Sequence, residues 1–310
     1  MPFIRLNYHE NYFLFNPDKK EDRLRTTGKF SSVYKGIREE DGKTVIIKKF
    51  NPAQKSVELA LERFKQEASI RINHSGIANN ICFIHNAGHD YLVREYVEGE
   101  DILTYVKRSK LKGNEKTKFI LRCAIEILNA LDAVHQSKII HCDIRPHNIL
   151  LQYNSPSKEI NSEQPTIKLI DFGLAYYQEN PIVGIIPFSL IYSPPEQLLN
   201  VTNVINASSD LHSLAISLYE LLTGEKPFYQ DNPEFIIQLQ LTQQLKPNKA
   251  IPDVVFQLLL KATNKHQFRL PPNRYKKEEL IKFFKVAQSV RFQSAVEFKT
   301  ALVHALKSLI

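Results

Sequence analysis

The sequence predicts an α+β protein in two parts: a small, mostly β N-lobe with one helix and a larger, mostly α C-lobe. Three observations carry this reading. Up to about residue 98, short runs rich in β-branched and aromatic residues dominate, and only one segment has helical spacing. After Gly99 the apolar residues recur at three and four. The length, 310 residues, suits one large two-part unit.

In chain order, residues 30–37 and 43–50 read as strands joined by a turn at Glu39, Glu40, Asp41 and Gly42. Residues 56–72 read as a helix, because Val57, Ala60, Leu61, Phe64 and Ala68 form one apolar stripe that would pack on the sheet. Strands return at 81–85 and 91–96. Beyond Gly99, residues 118–135 place Phe119, Ile120, Cys123, Ile127, Ala130, Leu131 and Val134 on one helical face. Residues 208–223 are apolar nearly all round, as in a central buried helix, with Ser208 or Ser209 as cap and Gly224 and Pro227 beyond its end. Residues 153–166 are polar and turn-rich and read as a surface insertion, and 295–310 form an amphipathic core helix. The basic run from Lys107 to Lys118 reads as a solvated face. The expected layout is a leader over 1–22 and one unit over 23–310, divided into 23–98 and 99–310, without a separate sensor domain.

Apolar residues at 43% and charged residues at 24% exclude a disordered chain, a collagen-like fibre and a disulfide scaffold. The net charge of +8 raises nucleic acid or an acidic surface as partners. It is dispersed, however: residues 1–98 hold 16 basic and 13 acidic side chains, the rest 25 and 20. Three scattered cysteines, Cys82, Cys123 and Cys142, suit a reducing compartment. No stretch approaches the roughly 18 apolar residues of a membrane span, and the amino terminus lacks the pattern of a secretory signal. A soluble, cytoplasmic protein is expected, with export through another kind of signal left open.

Four segments carry chemistry. Thr26, Gly28, Phe30, Ser31, Val33 and Gly36 lie on a glycine-bearing hairpin whose backbone N–H groups could cover phosphates; alone it reads as a plain hairpin. Lys48 ends the run Val45, Ile46, Ile47, with Glu67 nineteen residues later at the edge of the apolar stripe. A lysine held by a carboxylate is a point charge for phosphate oxygens, although alone Lys48 reads as a surface lysine like Lys49. His141, Cys142, Asp143, Ile144, Arg145, Pro146, His147 and Asn148 form a short loop between apolar strands. There Asp143 can orient and deprotonate a hydroxyl, Arg145 can neutralise a phosphoryl group and Asn148 can hold a metal. Asp171, followed by Phe172 and Gly173, ends an apolar strand as a carboxylate suited to Mg²⁺.

In this order, and with Pro195, Glu196 and Asp210 further on, these residues closely resemble the eukaryotic-type protein kinase family. The resemblance runs from about Arg23 to the carboxyl terminus. The nearest flavour is that of the bacterial serine/threonine members, judging from residues 92–99 and 195–198. It implies the bilobal kinase fold, ATP and Mg²⁺ as cofactors, and a protein substrate with a Ser or Thr acceptor, since Pro146 follows Arg145. By the same resemblance, Gly28, Phe30 and Ser31 cover the phosphates, and Val33, Ile46 and Leu150 sandwich the adenine. Lys48 grips the α- and β-phosphates and Glu67 holds Lys48. Arg94 is the gatekeeper, Glu95 and Val97 meet the adenine edge, and Asp101 contacts the ribose. Asp143 is the base, and Asn148 and Asp171 are the Mg²⁺ ligands. Arg291 pairs with Glu196 as a structural contact, after an insertion at 266–286.

Several positions depart from that pattern. Thr26 and Ser31 replace outer glycines, Ile46 replaces a small residue, and Arg145 replaces lysine. Arg94 is a large charged gatekeeper whose head should reach solvent or an acidic partner. The turn after the Glu67 helix is about two residues short. Cys142 replaces the arginine that receives an activation-segment phosphate, and residues 171–196 contain no Lys, Arg or Thr. Their only hydroxyls are Tyr176, Tyr177, Ser189, Tyr192 and Ser193, so control by phosphorylation of that segment is not expected. The leading reading is an active serine/threonine protein kinase. A pseudokinase scaffold is the second, a small-molecule phosphotransferase the third, and nucleic-acid binding, with no motif behind it, the last. Oligomeric state is not legible.

Overall fold

The computed structural model describes residues 3–28, 31–51, 57–154, 157–179 and 187–309. The chain divides into two compact units, residues 1–73 with 78–98, and residues 74–77 with 99–310.

The first unit is built on strands β1 (Ile4–Tyr8), β2 (Asn11–Phe15), β3 (Arg23–Gly28), β4 (Ser31–Arg38) and β5 (Thr44–Phe50), helix α1 (Val57–Ser69), and strands β6 (Asn80–Asn86) and β7 (His89–Glu95). The sheet order is β1-β2-β4-β5-β7-β6, with β3 also paired to β4. Side chains alternate across β5. Val45 and Ile47 join Leu6, Phe13, Phe15, Tyr34, Cys82, Ile84, Tyr91 and Val93 in one apolar cluster. Phe50, from the opposite parity, packs with Phe64, Ala68 and Leu92 beneath α1. Both faces of the strand are therefore covered, which is why Val45, Ile46 and Ile47 stand in an unbroken apolar run. Glycine is required at Gly36, where an added Cβ would lie 2.9 Å from the Leu14 carbonyl oxygen of β2.

The leader expected over residues 1–22 is instead β1 and β2, two strands of this sheet, with Leu6, Phe13 and Phe15 buried in its core. Each is only five residues long and the charged 16–22 stretch separates them from β3, so the sequence pattern alone does not mark them as strands. The helix expected over 56–72 ends at Ser69, and its first residue lies outside the described residues, as does Phe30 of the first strand.

The second unit continues with β8 (Gly99–Asp101), α2 (Ile102–Arg108), α3 (Gly113–Gln136), β9 (Ile139–Ile140), β10 (Ile149–Gln152), β11 (Ile167–Leu169) and β12 (Tyr176–Tyr177). Helices α4 (Pro195–Leu198), α5 (Ala207–Thr223), α6 (Pro233–Thr242), α7 (Asp253–Ala262), α8 (Lys277–Val290) and α9 (Ala295–Ser308) follow. Two small antiparallel sheets, β11-β10-β8 and β12-β9, bracket the loop at 141–148. Helix α5 is buried along almost its whole length. Its cap is Asn206, not Ser208 or Ser209: Asn206 Oδ1 accepts from the Ser208 N–H at 2.9 Å, and Ser209 Oγ accepts in return from the Asn206 N–H at 3.3 Å. The insertion at 266–286 packs down through Phe284, which joins Val201 and Val204. In the basic run, Lys116 donates to the Leu222 carbonyl at 3.0 Å and Arg108 pairs with Glu100, so part of it is structural.

Candidate active site

In the first unit, strand register sets the cation. Lys48 on β5 stands opposite Val33 on β4 and Leu92 on β7, and Ile46 stands opposite Arg94. Directly opposed residues share a face, so Val33, Ile46, Lys48 and Arg94 all lie on the side that α1 covers. Lys48 Nζ donates to both Glu67 carboxylate oxygens, at 2.8 and 2.7 Å. Both side chains are buried, and a buried charge persists only when paired. Arg94 turns inward to an acidic partner, with its guanidinium 3.9 Å from Glu67 Oε1. Val33, Ile46 and Val97 are buried, whereas the Glu95 carboxylate accepts from the Asn79 N–H at 3.2 Å. Ser31 is half-buried at the start of β4, and Gly28 pairs with it as the last residue of β3. Phe30 lies outside the described residues.

In the second unit, the 141–148 loop is held from beneath by Asp210 at the start of α5. Its carboxylate accepts from the backbone N–H groups of His141 and Cys142, at 3.0 and 2.9 Å, and from His135 Nε2 at 2.8 Å. This tether keeps Cys142 at φ 60°, a left-handed conformation that costs a non-glycine residue about 1 kcal/mol or more. Burial, with the charges of Asp210, Asp143 and Glu196, pushes the Cys142 thiol well above its ordinary value, so it is an inert filler.

The loop brings three predicted residues together. Asn148 Nδ2 donates to Asp143 Oδ2 at 2.7 Å and to the Asp143 carbonyl at 2.9 Å. Arg145 Nε lies 3.7 Å from Asp143 Oδ2, too far for a hydrogen bond. That nitrogen is buried and meets no hydrogen-bond acceptor among the described residues. Ser189 Oγ donates to Asp143 Oδ1. Burial raises the Asp143 carboxyl above its ordinary value and nearby Asp171 adds to this, while the Arg145 charge and the Ser189 hydroxyl oppose it.

Asp171 follows β11 at φ 65°, a second left-handed non-glycine residue. Its neighbour Ile170 donates its N–H to the Asn148 carbonyl at 3.0 Å, which sets Asp171 beside the loop. Phe172 is buried with its ring centroid 4.6 Å from that of His141. Leu150 is only half-buried between the fully buried Ile149 and Leu151, as expected of a strand residue facing the other way. Asp101 caps α2, accepting from the Thr104 N–H at 3.0 Å and the Thr104 hydroxyl at 2.7 Å.

Glu196 and Arg291 form a sealed pair, at 2.7 and 3.1 Å, with Ser209 and Gln288 also donating to Glu196. Burial alone would raise Glu196, but the charge and hydrogen bonds of Arg291 outweigh it and hold the carboxyl below its ordinary value.

Two contributors escaped the sequence reading. In the sequence Ser189 stands out only as a hydroxyl of its segment, and Gln197 only as part of the 195–198 resemblance. Gln197 Nε2 donates to the carbonyls of Cys142, at 2.9 Å, and Pro187, at 3.3 Å. Neither carries a local spacing signal, because the contacts span dozens of residues.

The first unit thus holds a buried lysine–glutamate pair, and the second an Asp/Asn loop with a carboxylate at a neighbouring strand end. The family model for the protein kinase domain matches residues 24–305. The chain belongs to the protein kinase family. A probable serine/threonine-protein kinase of Clostridium perfringens is 30% identical over 263 residues, which are 80% of this chain and 35% of that protein. The serine/threonine-protein kinase PrkC of Bacillus subtilis is 31% identical over 225 residues, 67% of this chain and 31% of that protein. The serine/threonine-protein kinase unc-51 of Caenorhabditis elegans is 29% identical, covering 71% of this chain and 26% of that protein. The chain thus spans about a third or less of the length of these relatives. Among the described residues, no helix is long and apolar enough to cross a membrane.

Proposed function

We propose that the protein is an active serine/threonine kinase that transfers the γ-phosphoryl group of ATP to a Ser or Thr hydroxyl of a protein. The observation that carries this is the state of Asp143: it already accepts a hydroxyl, that of Ser189, while an unsatisfied Arg145 nitrogen lies close by. Asp143 would orient the acceptor hydroxyl and take its proton as the oxygen attacks phosphorus. Arg145 would offset charge on the transferring group, and Lys48, held by Glu67, would fix the α- and β-phosphates.

The donor set fits Mg²⁺, a hard cation that takes one or two carboxylates along with phosphate oxygens. Asp171 supplies a carboxylate, and Asn148, whose nitrogen is spent on Asp143, would ligate through its amide oxygen. Held by Asp171 and Asn148, the ion would supply positive charge to offset that of the phosphates. The adenine contacts implied for Val33, Ile46, Leu150, Glu95 and Val97, and the phosphate cover from Gly28 to Ser31, belong to this proposal. So does a ribose contact at Asp101, which would use lone pairs left over from its capping role.

Gln197 supports independence from activation-segment phosphorylation. Its amide ties the catalytic loop to Pro187, a link that a phosphate–arginine pair would otherwise make. Phosphatase treatment should leave turnover unchanged; a segment phosphate whose removal abolishes turnover would contradict this.

The test is incubation with radiolabelled ATP, Mg²⁺ and a generic basic protein, beside Asp143→Ala and Lys48→Ala. Transfer should be clear in the wild type and nearly lost in both variants; absent or unchanged transfer would favour the scaffold reading. Arg145→Lys should change the rate by less than about tenfold, since the charge is kept. Because the base must be ionised and its pKa is raised, kcat/KM should fall on the acid side at a pH above the ordinary carboxylate range of about 4.

A further inference from the structure

Arg94 has no role in the chemistry outlined above, yet its side chain is only 11% exposed and its guanidinium is directed at a carboxylate with 2% exposure that Lys48 already satisfies. Glu67 therefore faces two cations, one in bidentate hydrogen bonds and one 3.9 Å away, through charge alone. An apolar residue would fill a half-buried strand position with less desolvation cost than a guanidinium. The neighbouring register position adds to the pattern. Asn80 on β6 stands opposite Arg94, and its Nδ2 donates to the Glu67 carbonyl at 2.6 Å and to the Ile70 carbonyl at 3.2 Å. These are carbonyls at the end of α1, where the helix leaves its last C=O groups without internal partners. A single row across the sheet, Ile46, Arg94 and Asn80, thus bears on the turn of α1 that carries Glu67.

We propose that Arg94 is a positioning residue: a second cation that keeps the Glu67 carboxylate accompanied and α1 docked whether or not Lys48 is engaged elsewhere. Lys48 is then free to lean toward phosphate oxygens without stranding a buried carboxylate. Asn80 fixes the main chain of the same turn. The catalytic consequence rests on the kinase reading; the docking of α1 does not. In this design α1 stays docked whichever way Lys48 leans, in keeping with the proposed independence from activation-segment phosphorylation.

The test combines turnover with amide hydrogen exchange in α1, for the wild type, Arg94→Met, Arg94→Lys, Lys48→Met and the Lys48→Met/Arg94→Met double variant. Arg94→Met should speed exchange at residues 66–69 by about tenfold, a local opening and not global unfolding. It should also lower kcat by about tenfold, with KM for ATP raised less than about threefold. Arg94→Lys should recover at least half of both losses, which packing alone would not explain. Lys48→Met should leave α1 protected, and the double variant should open it by more than the two single effects combined. The proposal is overturned if Arg94→Met leaves exchange and kcat within about twofold of wild type, or if the Lys and Met variants behave alike. If the wild type transfers no phosphate, the kinase reading fails, and the exchange comparison still decides the role of Arg94.

Discussion

Two buried glutamates meet arginine in this protein, and they do so differently. Glu196 is sealed: Arg291, Ser209 and Gln288 all hydrogen-bond to it, and neither member of the pair is exposed. Among the described residues, the Glu67 carboxylate is bound by Lys48 alone through hydrogen bonds, with Arg94 standing off at 3.9 Å and acting only through its charge. A saturated pair has no capacity left for a ligand and can only hold structure. A lysine whose carboxylate has a second cation beside it can shift toward an anionic group such as a polyphosphate. In the proposed reading, the contrast separates an ion pair that serves the fold from one that serves a reaction.

Substitutions should break the two pairs in different currencies. Lys48→Met should lower turnover by about a thousandfold, in the range of lost phosphate positioning, with the melting temperature little changed because Arg94 still neutralises Glu67. Unfolding of this variant at ambient temperature would show that Lys48 is primarily structural. Arg291→Met should do the reverse, costing about 3–5 kcal/mol of stability in a denaturant titration by stranding a buried carboxylate. An unchanged denaturation midpoint would remove the distinction between the pairs.

Lys265 sharpens the comparison as a buried cation with no carboxylate partner among the described residues. It donates to the carbonyls of Gln240 and Gln243, both at 2.6 Å, and burial lowers its pKa to about 7, with the nearby Arg291 charge adding to the effect. Above that pH the folded state binds one proton fewer than the unfolded chain, so this group makes stability rise with pH from about 7 until the unfolded lysine titrates. The melting temperature of the wild type relative to Lys265→Met should therefore increase between pH 7 and 9, the smallest of these effects. A difference that stays flat or falls would mean that Lys265 remains charged in the fold.

Much of the site was legible in the sequence because its parts are local. The loop from His141 to Asn148 places Asp143 and Asn148 five residues apart, and the Lys48–Glu67 pair joins a strand to the next helix. Both pairs are found in contact. The fold was legible where periodicity is strong, as in α3 and α5, whose apolar residues are buried along one face or all round. What stayed hidden depends on distant chain. Strands β1 and β2 become recognisable only once β4 offers an edge to pair with. Ser189 reaches Asp143 across 46 positions and Gln197 reaches Cys142 across 55, with no spacing rule to announce either. The orientation of Arg94 was open between solvent and an acidic partner, and packing under α1 decided it.

The central claim, that Asp143 acts as the base of a phosphoryl transfer, is tested most directly by Asp143→Asn, which keeps the shape and removes the charge. The measurement is the initial rate of label transfer from ATP to a Ser/Thr-containing protein, with Mg²⁺, at neutral pH. The expected result is clear transfer by the wild type and a loss of at least about a hundredfold in the variant, the scale of general-base catalysis. A wild-type rate no greater than that of Asp143→Asn would contradict it.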